Sequence, residues 1–384
     1  MADTRPTTHR VPAQPTDHEE ATVSTVPTVP VTEPPAARTG HLPLTRPRLP
    51  RWAPWLVAAV AAAASALAAL SLGWGLLGWA ALAVVVYGVA LPLWSLAVES
   101  SRAAKDRLVG TLVWVAFALA MLPLASLLTI VVKNGIGVID AQFLTYSMRN
   151  VVGEGGGIYH AILGTLMITL AATVISVPVG LLAAVYLVEY GRSSRLARTI
   201  TFFVDVMTGI PSIVAGLFAY ALFVLFYGPG VRMGIGGSVA LSLLMIPIVV
   251  RSCEEMLKLV PAELREAAYA LGVPKWRTIV KVVLPTAIAG LATGITLSVA
   301  RVVGETAPLL LTVGIINGTN LDPFDGRMAS LPVFAYYQLT QPGFPPEFAI
   351  DRAWTAALLL IVLVMALNIA GRLISRFFAP TTGR

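Results

Sequence analysis

One arginine and one glutamate stand at the end of an otherwise apolar stretch of the sequence. Arg301 lies within an apolar segment over residues 283–304, and Glu305 follows at its end. An arginine at the centre of a membrane span costs about 2.5–3.5 kcal/mol, so such a charge is usually paired and faces the protein interior. The spacing of four predicts that both side chains share one helical face, on which Ser298 also lies. A guanidinium offers several donors in a planar fork that suits the oxygens of an anion such as phosphate.

This pair of charges supports two interpretations. In the first, Glu305 holds and moderates Arg301, so that an anion binds firmly enough to be admitted and weakly enough to leave. In the second, the two charges form a structural ion pair that locks neighbouring helices. Arg251, at the inner end of another apolar segment, is a second candidate for an anion contact, although anchoring at the membrane surface explains it equally well. Asp205 lies just inside a further apolar segment and is interpreted as an acid at a helix start.

Residues suited to metal or nucleophilic chemistry are sparse. The chain has one cysteine, Cys253, and three of its four histidines precede residue 42, which leaves His160 near the membrane. These numbers exclude a disulfide framework and make haem and zinc sites poor hypotheses. The glycine-rich stretch 153–157 resembles a phosphate cradle, but no Lys-Ser/Thr follows it, so it is interpreted as a flexible external turn. The sequence contains no P-loop, so ATP hydrolysis would require another subunit.

The composition indicates that membrane helices position these residues. Only 12% of the 384 residues are charged, 57% are apolar, and the mean hydropathy is +0.79. Runs of about 20 apolar residues recur, which is long enough to cross about 30 Å of hydrocarbon as helices. We therefore expect an all-α, polytopic transmembrane helical bundle.

The first 50 residues differ from the rest of the chain. They hold ten of the 27 prolines and ten threonines, with little aliphatic periodicity. Such a segment buries too little apolar surface to offset its chain entropy, so residues 1–50 are predicted to be a disordered tail. A signal peptide is not expected there, because the first long apolar run begins only near Ala53.

Eight apolar segments follow this tail. Two spans are predicted within residues 51–107, and six more within residues 108–378. The segments cover residues 53–72, 75–98, 108–132, 160–188, 201–227, 238–250, 283–304 and 353–371.

The distribution of basic residues predicts the orientation of these spans. With both termini in the cytoplasm, the inside segments carry 21 of the 27 Lys and Arg residues and the outside loops carry five. This bias is what the positive-inside rule expects for an even number of spans. The net charge of +7 is therefore interpreted as a topology signal, which does not require nucleic acid.

The inside loop at 251–282 contains a predicted short helix outside the bilayer. Pro261 suits its first helical position, and Gly272 followed by Pro274 is a stop signal. A helix of about ten residues places four residues on one apolar face that lipid cannot cover. These are Leu264, Ala267, Ala268 and Leu271. The face requires a protein partner, and Glu266 can meet a cationic or amide-donating group at its rim.

The spacing in this loop is similar to the EAA motif in the membrane subunits of bacterial ABC importers. The matching residues are Glu266, Ala267, Ala268, Gly272, Val282, Leu284 and Pro285. The resemblance implies that the helix docks in a groove of a cytoplasmic ATPase and transmits its movement. It implies ATPase coupling by Glu266, Ala267, Ala268, Leu271 and Gly272. The competing interpretation is a helix on lipid headgroups, but the alanine-rich face lacks the large anchors of such helices.

Longer stretches resemble the PstA-type permease subunits of phosphate ABC importers. They begin at Ala184, Gly209, Met256, Leu264 and Ala300. The most specific is 300–310, where Gly-Glu-Thr is followed by Ala-Pro-Leu-Leu. The resemblance covers residues 108–378 and implies a six-span permease core there. It covers neither the tail nor the first two spans, which are two extra N-terminal spans beside that core.

The resemblance implies a multi-pass transport subunit of the bacterial inner (plasma) membrane, with no enzymatic activity and no cofactor of its own. Its implied partners are membrane lipid, a homologous second permease and a cytoplasmic ATPase dimer that uses ATP and Mg²⁺. The resemblance also implies an extracytoplasmic phosphate-binding protein, which docks on outer loops including 305–352. Inorganic phosphate is the implied substrate. The residues expected along its path are Arg301, Glu305, Ser298, Thr306 and Arg251.

Other functions are compatible with the residues alone. The binding geometry at Arg301 does not separate phosphate from sulfate or molybdate. A membrane-embedded enzyme acting on a lipid or polyprenyl phosphate could use Arg301 and Glu305, but no His, Asp or Cys cluster joins them in the sequence. A third possibility is a scaffold that only anchors a cytoplasmic partner.

Overall fold

The structure of the protein is a computed structural model that describes residues 48–191 and 194–378. The predicted tail, residues 1–50, lies outside the described residues except for its last three. The described parts of the chain form α-helices joined by loops and by short 3₁₀ and π turns, with no strand among them. The all-α fold class is confirmed.

The chain divides into two compact units, Met1–Ala116 and Phe117–Arg384. The described part of the first unit holds α1 (Ala53–Leu72), α2 (Leu76–Val98) and the beginning of α3 (Ser101–Gly135). Helices α1 and α2 pack together as a hairpin. In α1 every fourth residue is buried, namely Ala53, Val57, Ala61, Ser65 and Ala69.

One carboxylate joins three segments of the first unit. Glu99, directly after α2, accepts hydrogen bonds from Ser95 Oγ and from the Leu49 N–H, both at 2.6 Å. Arg107 of α3 forms an ion pair with it at 3.0 Å. The Ser95 hydroxyl, with Arg107 and Leu49, lowers the pKa of Glu99 to about 2 against the opposing effect of burial. The starts of α1 and α3 and the end of α2 are thereby held at one point.

The second unit contains the remaining helices. Their order is α4 (Ala141–Thr145), α5 (Tyr159–Val185), α6 (Arg195–Thr208), α7 (Ser212–Tyr227), α8 (Gly234–Lys258), α9 (Ala262–Ala270), α10 (Lys275–Thr278), α11 (Leu284–Val303), α12 (Ala307–Thr312), α13 (Leu331–Thr340) and α14 (Glu347–Phe378). One π turn, Tyr186–Tyr190, continues α5, and a second, Ile279–Val283, joins α10 to α11.

Helix α8 lies at the centre of the second unit. It packs against α5, α7 and α11. Its buried apolar side chains include Leu241, Met245, Val249 and Leu257, which belong to the largest hydrophobic cluster. Because α8 is buried on several sides, its C-terminal end is a fixed base for the short helix α9 that follows.

Seven helical stretches in the described residues are long and apolar enough to cross a membrane. They contain α1, α2, α3, α5, α8, α11 and α14. These stretches confirm seven of the eight predicted segments. The predicted segment 201–227 is divided between α6 and α7, which meet at a bend of 109°. The predicted segment 238–250 is too short, since α8 continues over 25 residues.

Candidate coupling and translocation sites

The short helix α9 forms where the sequence signals predict it. Pro261 precedes it with φ −56° and ψ 140°, and Glu263 occupies its first turn. Gly272 adopts a left-handed φ of 73° after its last turn, a conformation that favours glycine. The predicted first position is wrong by one residue, because the extended ψ of Pro261 leaves that proline outside the helix. The short helix itself is confirmed.

The predicted apolar face of α9 is divided between two environments. Ala268 is only 8% exposed and packs into the chain, whereas Leu264, Ala267 and Leu271 are exposed. The expectation of one free face is therefore wrong for Ala268, which attaches the helix to the chain. We define the α9 contact surface as the exposed residues of the predicted coupling set together with Leu264. Its members are Leu264, Glu266, Ala267, Leu271 and Gly272.

Arg265 holds α9 against the rest of the second unit. Its Nε and Nη2 donate to Oε1 of Glu189 at 3.0 and 2.8 Å. Its guanidinium also donates to the carbonyl oxygens of Val260 at 2.6 Å and Leu257 at 3.0 Å. Arg265 is 8% exposed and Glu189 6%. Because a buried charge without its partner is costly, this pair fixes the position of α9.

Glu189 belongs to the π turn at the end of α5. In the same turn, the ring of Tyr190 lies 4.8 Å from Nζ of Lys275 in α10. The end of α5 therefore contacts the segments on both sides of Gly272. Sequence reasoning missed this pair, although a glutamate at the end of a long apolar segment was an available signal.

Arg251 lies in a cluster of four charged side chains. Its Nη1 donates to Oε2 of Glu254 at 2.9 Å, and its Nη2 contacts Asp205 of α6. Lys258 donates to the other oxygen of Glu254 at 2.7 Å. An anion that reached Arg251 would compete with two carboxylates. The interpretation of Asp205 as an acid at a helix start is wrong, because α6 begins at Arg195 and Asp205 lies in its last turn.

Arg301 and Glu305 do not share a helix. Helix α11 ends at Val303, and Glu305 lies in the break before α12. The ion pairs of the described residues do not include one between Arg301 and Glu305. The predicted pairing on one helical face is wrong, because Gly304 ends α11 before the fourth residue is reached.

The other residues predicted for the path occupy different environments. Ser298 is fully buried, and its hydroxyl donates to the carbonyl of Gly294 in the preceding turn at 2.8 Å. It therefore does not share a free surface with the exposed Arg301. Thr306 is half-buried and lines an open cavity of about 470 Å³ with Tyr336 and Trp354.

The glycine-rich stretch 153–157 is held by a buried arginine. Arg352 of α14 is 6% exposed, and its Nη1 donates to the carbonyl oxygens of Gly153 at 2.8 Å and Gly155 at 3.1 Å. Its Nε donates to Gln338 of α13 at 3.2 Å. The arginine therefore binds carbonyl groups of this stretch and joins the stretch to α13 and α14.

The fold and these sites define a polytopic helical membrane protein that carries a short, rigidly attached helix outside its long apolar helices. The family model described as "Binding-protein-dependent transport system inner membrane component" matches residues 176–384. The match includes α9, its partner Glu189, and both Arg301 and Glu305. The chain belongs to this family of transport inner membrane components.

Curated relatives place the chain within one branch of that family. It is 48% identical over 286 residues to "Phosphate transport system permease protein PstA 1" of Mycobacterium tuberculosis, covering 74% of this chain and 91% of the relative. It is 47% identical to PstA of Mycobacterium leprae, covering 70% and 88%. It is 38% identical to PstA of Pasteurella multocida, covering 71% and 95%. The resemblance to PstA-type permeases is confirmed.

Solved structures also match the chain. The MetNI methionine ABC transporter in an inward-facing conformation matches with a TM-score of 0.46 and 23% identity, over 58% of this chain and 94% of that chain. An amino acid ABC transporter crystallised with histidines matches with a TM-score of 0.44 and 20% identity, over 57% and 92%.

Proposed function

We propose that this chain is a permease subunit of an ATP-driven importer of inorganic phosphate. The relatives named PstA support the substrate, because they match this chain over most of their own length. The observation that carries the coupling role is the α9 contact surface. An exposed helix face that contains Ala267 and Glu266 is held at its back by the buried pair Arg265–Glu189.

The proposed assembly contains four kinds of partner. A homologous second permease completes the path, and a cytoplasmic ATPase dimer that uses ATP and Mg²⁺ binds the α9 contact surface. A phosphate-binding protein docks on the opposite side, and membrane lipid surrounds the spans. The bias of Lys and Arg residues supports a bacterial inner-membrane orientation with both termini in the cytoplasm.

Arg301 is the proposed anion contact of the path. It is exposed on α11, within a stretch that is long and apolar enough to span a membrane. A cation that faces lipid at such a position costs several kcal/mol, so its exposed side is better explained by an aqueous path or by the second permease. Glu305 and Thr306, in the break after α11, adjoin the same path. Ser298 is buried on the same helix, so we assign it a packing role next to Arg301. Arg251 is paired with carboxylates and lies in the C-terminal part of α8, which leads to α9.

Movement passes from the ATPase to the spans through α9. When ATP binding closes the ATPase dimer, the groove that holds the α9 contact surface is displaced. Arg265 then carries this displacement to Glu189 at the end of α5 and to the Leu257 carbonyl at the end of α8. Closure of the ATPase dimer can shift the permease from the inward-facing to the outward-facing state only if the closed dimer makes more favourable contacts with the outward-facing state.

Uptake by reconstituted vesicles tests this function. The complex isolated with its partner subunits is sealed into vesicles that contain ATP and Mg²⁺, and the binding protein is added outside. We expect uptake of labelled phosphate that requires both ATP and the binding protein. Uptake of labelled sulfate or molybdate under the same conditions, without phosphate uptake, would contradict the proposed substrate.

A further inference from the structure

Helix α6 is not explained by the proposed transport function. Its neighbour α7 has 16 residues without a charge and packs beside the membrane helix α8. At 1.5 Å per residue, α7 is about 24 Å long, which is most of the hydrocarbon thickness. The bend of 109° sets α6 nearly at a right angle to α7. If α7 crosses the membrane, α6 lies along its surface.

Helix α6 carries apolar side chains on two sides. On the inner side, Ala197 and Val204 are buried in a cluster with Leu187 and Val250. On the outer side, four large apolar residues are exposed, and we call them the α6 outer face. They are Leu196, Phe202, Phe203 and Val206. The described residues of the chain do not cover this face, so an apolar environment other than those residues must do so.

Two cations adjoin this face at the start of the helix. Arg195 and Arg198 are both exposed, and neither takes part in the ion pairs of the described residues. Positive charge at a helix N-terminus is opposed by the helix dipole, so these arginines do not stabilise α6 itself. Unpaired cations beside a large apolar face are typical of a helix that lies on an anionic lipid surface.

A cleft opens beside Arg198, between α6, the end of the π turn that continues α5, and α8. The cleft has a volume of about 310 Å³ and is lined by Arg198, Thr201 and Glu254, among others. The charges of Glu254 and of Asp205, which shares Arg251 with it, are together balanced by Arg251 and Lys258. Arg198 and the hydroxyl of Thr201 therefore remain as donors for the oxygens of a phosphate group.

We propose that α6 is a lipid-binding helix at the membrane surface. Its outer face lies at the boundary between headgroups and acyl chains. Arg195 and Arg198 bind the phosphate groups of anionic phospholipids, with one headgroup seated in the cleft beside Arg198. This site does not depend on which anion the chain transports.

The depth of the α6 outer face tests this placement in the complex isolated with its partner subunits. Cys253 is the single cysteine of the chain and is buried, so Cys253→Ala provides a background for spin labels. One label replaces Phe203, and a second replaces Leu119, which is exposed in the middle of α3. We expect the label at 203 to lie near the headgroups and to collide with both oxygen and a polar reagent, whereas the label at 119 collides with oxygen only. Shielding of position 203 from both reagents would show a protein partner there and overturn the proposal, as would a depth equal to that of position 119.

Retention of lipid tests the two arginines. The variant Arg195→Gln with Arg198→Gln is compared with Arg149→Gln and Arg327→Gln, which removes two exposed arginines elsewhere. Each cation near an anionic surface strengthens binding about fivefold, so the α6 variant should retain phosphatidylglycerol about fivefold less for each arginine lost. The control variant should retain it as the wild type does. Equal retention by both variants, or displacement of the lipid by inorganic phosphate, would overturn the proposal.

Discussion

Glu189 and Arg265 form a buried ion pair across 76 residues of sequence, with Oε1 and Nη2 2.8 Å apart. Arg265 directly precedes Glu266, which is exposed. The residue that holds the helix and the residue proposed to meet the ATPase are thus neighbours in sequence whose side chains lie on different faces of α9. This arrangement gives α9 the stiffness that a transmitting element needs.

Removal of one member of the buried pair should loosen α9. Arg265→Gln leaves Glu189 buried without its counter-charge, and such changes cost about 3–5 kcal/mol. We expect a lower melting temperature and the loss of ATPase stimulation by loaded binding protein. The double variant Glu189→Met with Arg265→Met should melt above the single variant, because no unpaired charge remains. A single variant with normal coupling and normal melting would refute the role of the pair.

Reversal of the charge at Glu266 should uncouple the ATPase while the chain remains folded and inserted. Glu266 is exposed and has no ion pair among the described residues, so Glu266→Lys costs little stability. Transport and ATPase rate are measured together in vesicles, and we expect phosphate uptake to fall at least tenfold. Glu154→Lys, an equal charge change at an exposed site of the 153–157 turn, should behave as wild type. Normal transport by Glu266→Lys would count against docking at the α9 contact surface.

Local signals in the sequence were sufficient to place α9. Proline before the helix, glutamate in its first turn and glycine after it all act within a few residues, so they can be read without tertiary structure. Arg265 was not recognised, because its partner Glu189 lies on another helix and only the fold brings the two together. The same limit explains Ala268, which shares the helical periodicity of Ala267 but is buried by tertiary contacts.

For the predicted path, the sequence was sufficient to recognise the apolar stretch and its charged residues. It was not sufficient to predict how those charged side chains are placed relative to one another. The spacing of Arg301 and Glu305 fits one helical face only if the helix continues, and Gly304 ends it. The bend between α6 and α7 has the same origin, since apolar residues on both sides of Pro211 read as one segment. Hydropathy reports which residues avoid water, whereas the direction of the backbone depends on a few turn residues.

Neutralisation of Arg301 should abolish phosphate uptake without loss of assembly. Arg301→Gln removes the charge and the planar donors while the side chain stays polar and similar in length. The expected result is uptake at the level of empty vesicles, with partner subunits still present on purification. Arg149→Gln, at an exposed loop position, provides the control. Unchanged uptake by Arg301→Gln would assign Arg301 a purely structural role.

The Glu99 cluster should make the first unit sensitive to acid. Because the pKa of Glu99 is lowered from 4.5 to about 2, its stabilising effect is complete above pH 4.5 and is lost as the pH falls toward 2. Glu99→Gln leaves Arg107 without its counter-charge and should cost about 1–3 kcal/mol at pH 7. Thermal melting of the purified protein should show a gap between variant and wild type that narrows below pH 4.5. A gap that is independent of pH would contradict the assignment of this effect to the ionised carboxylate.

Site-specific crosslinking from α9 tests the coupling proposal most directly. In the Cys253→Ala background, a cysteine replaces either Ala267, which is exposed, or its neighbour Ala268, which is 8% exposed. We expect a short bifunctional reagent to link position 267, and not position 268, to an ATPase subunit in the assembled complex, as the coupling proposal requires. A complex that hydrolyses ATP and transports phosphate, yet gives no protein crosslink or only lipid adducts from position 267, would contradict it.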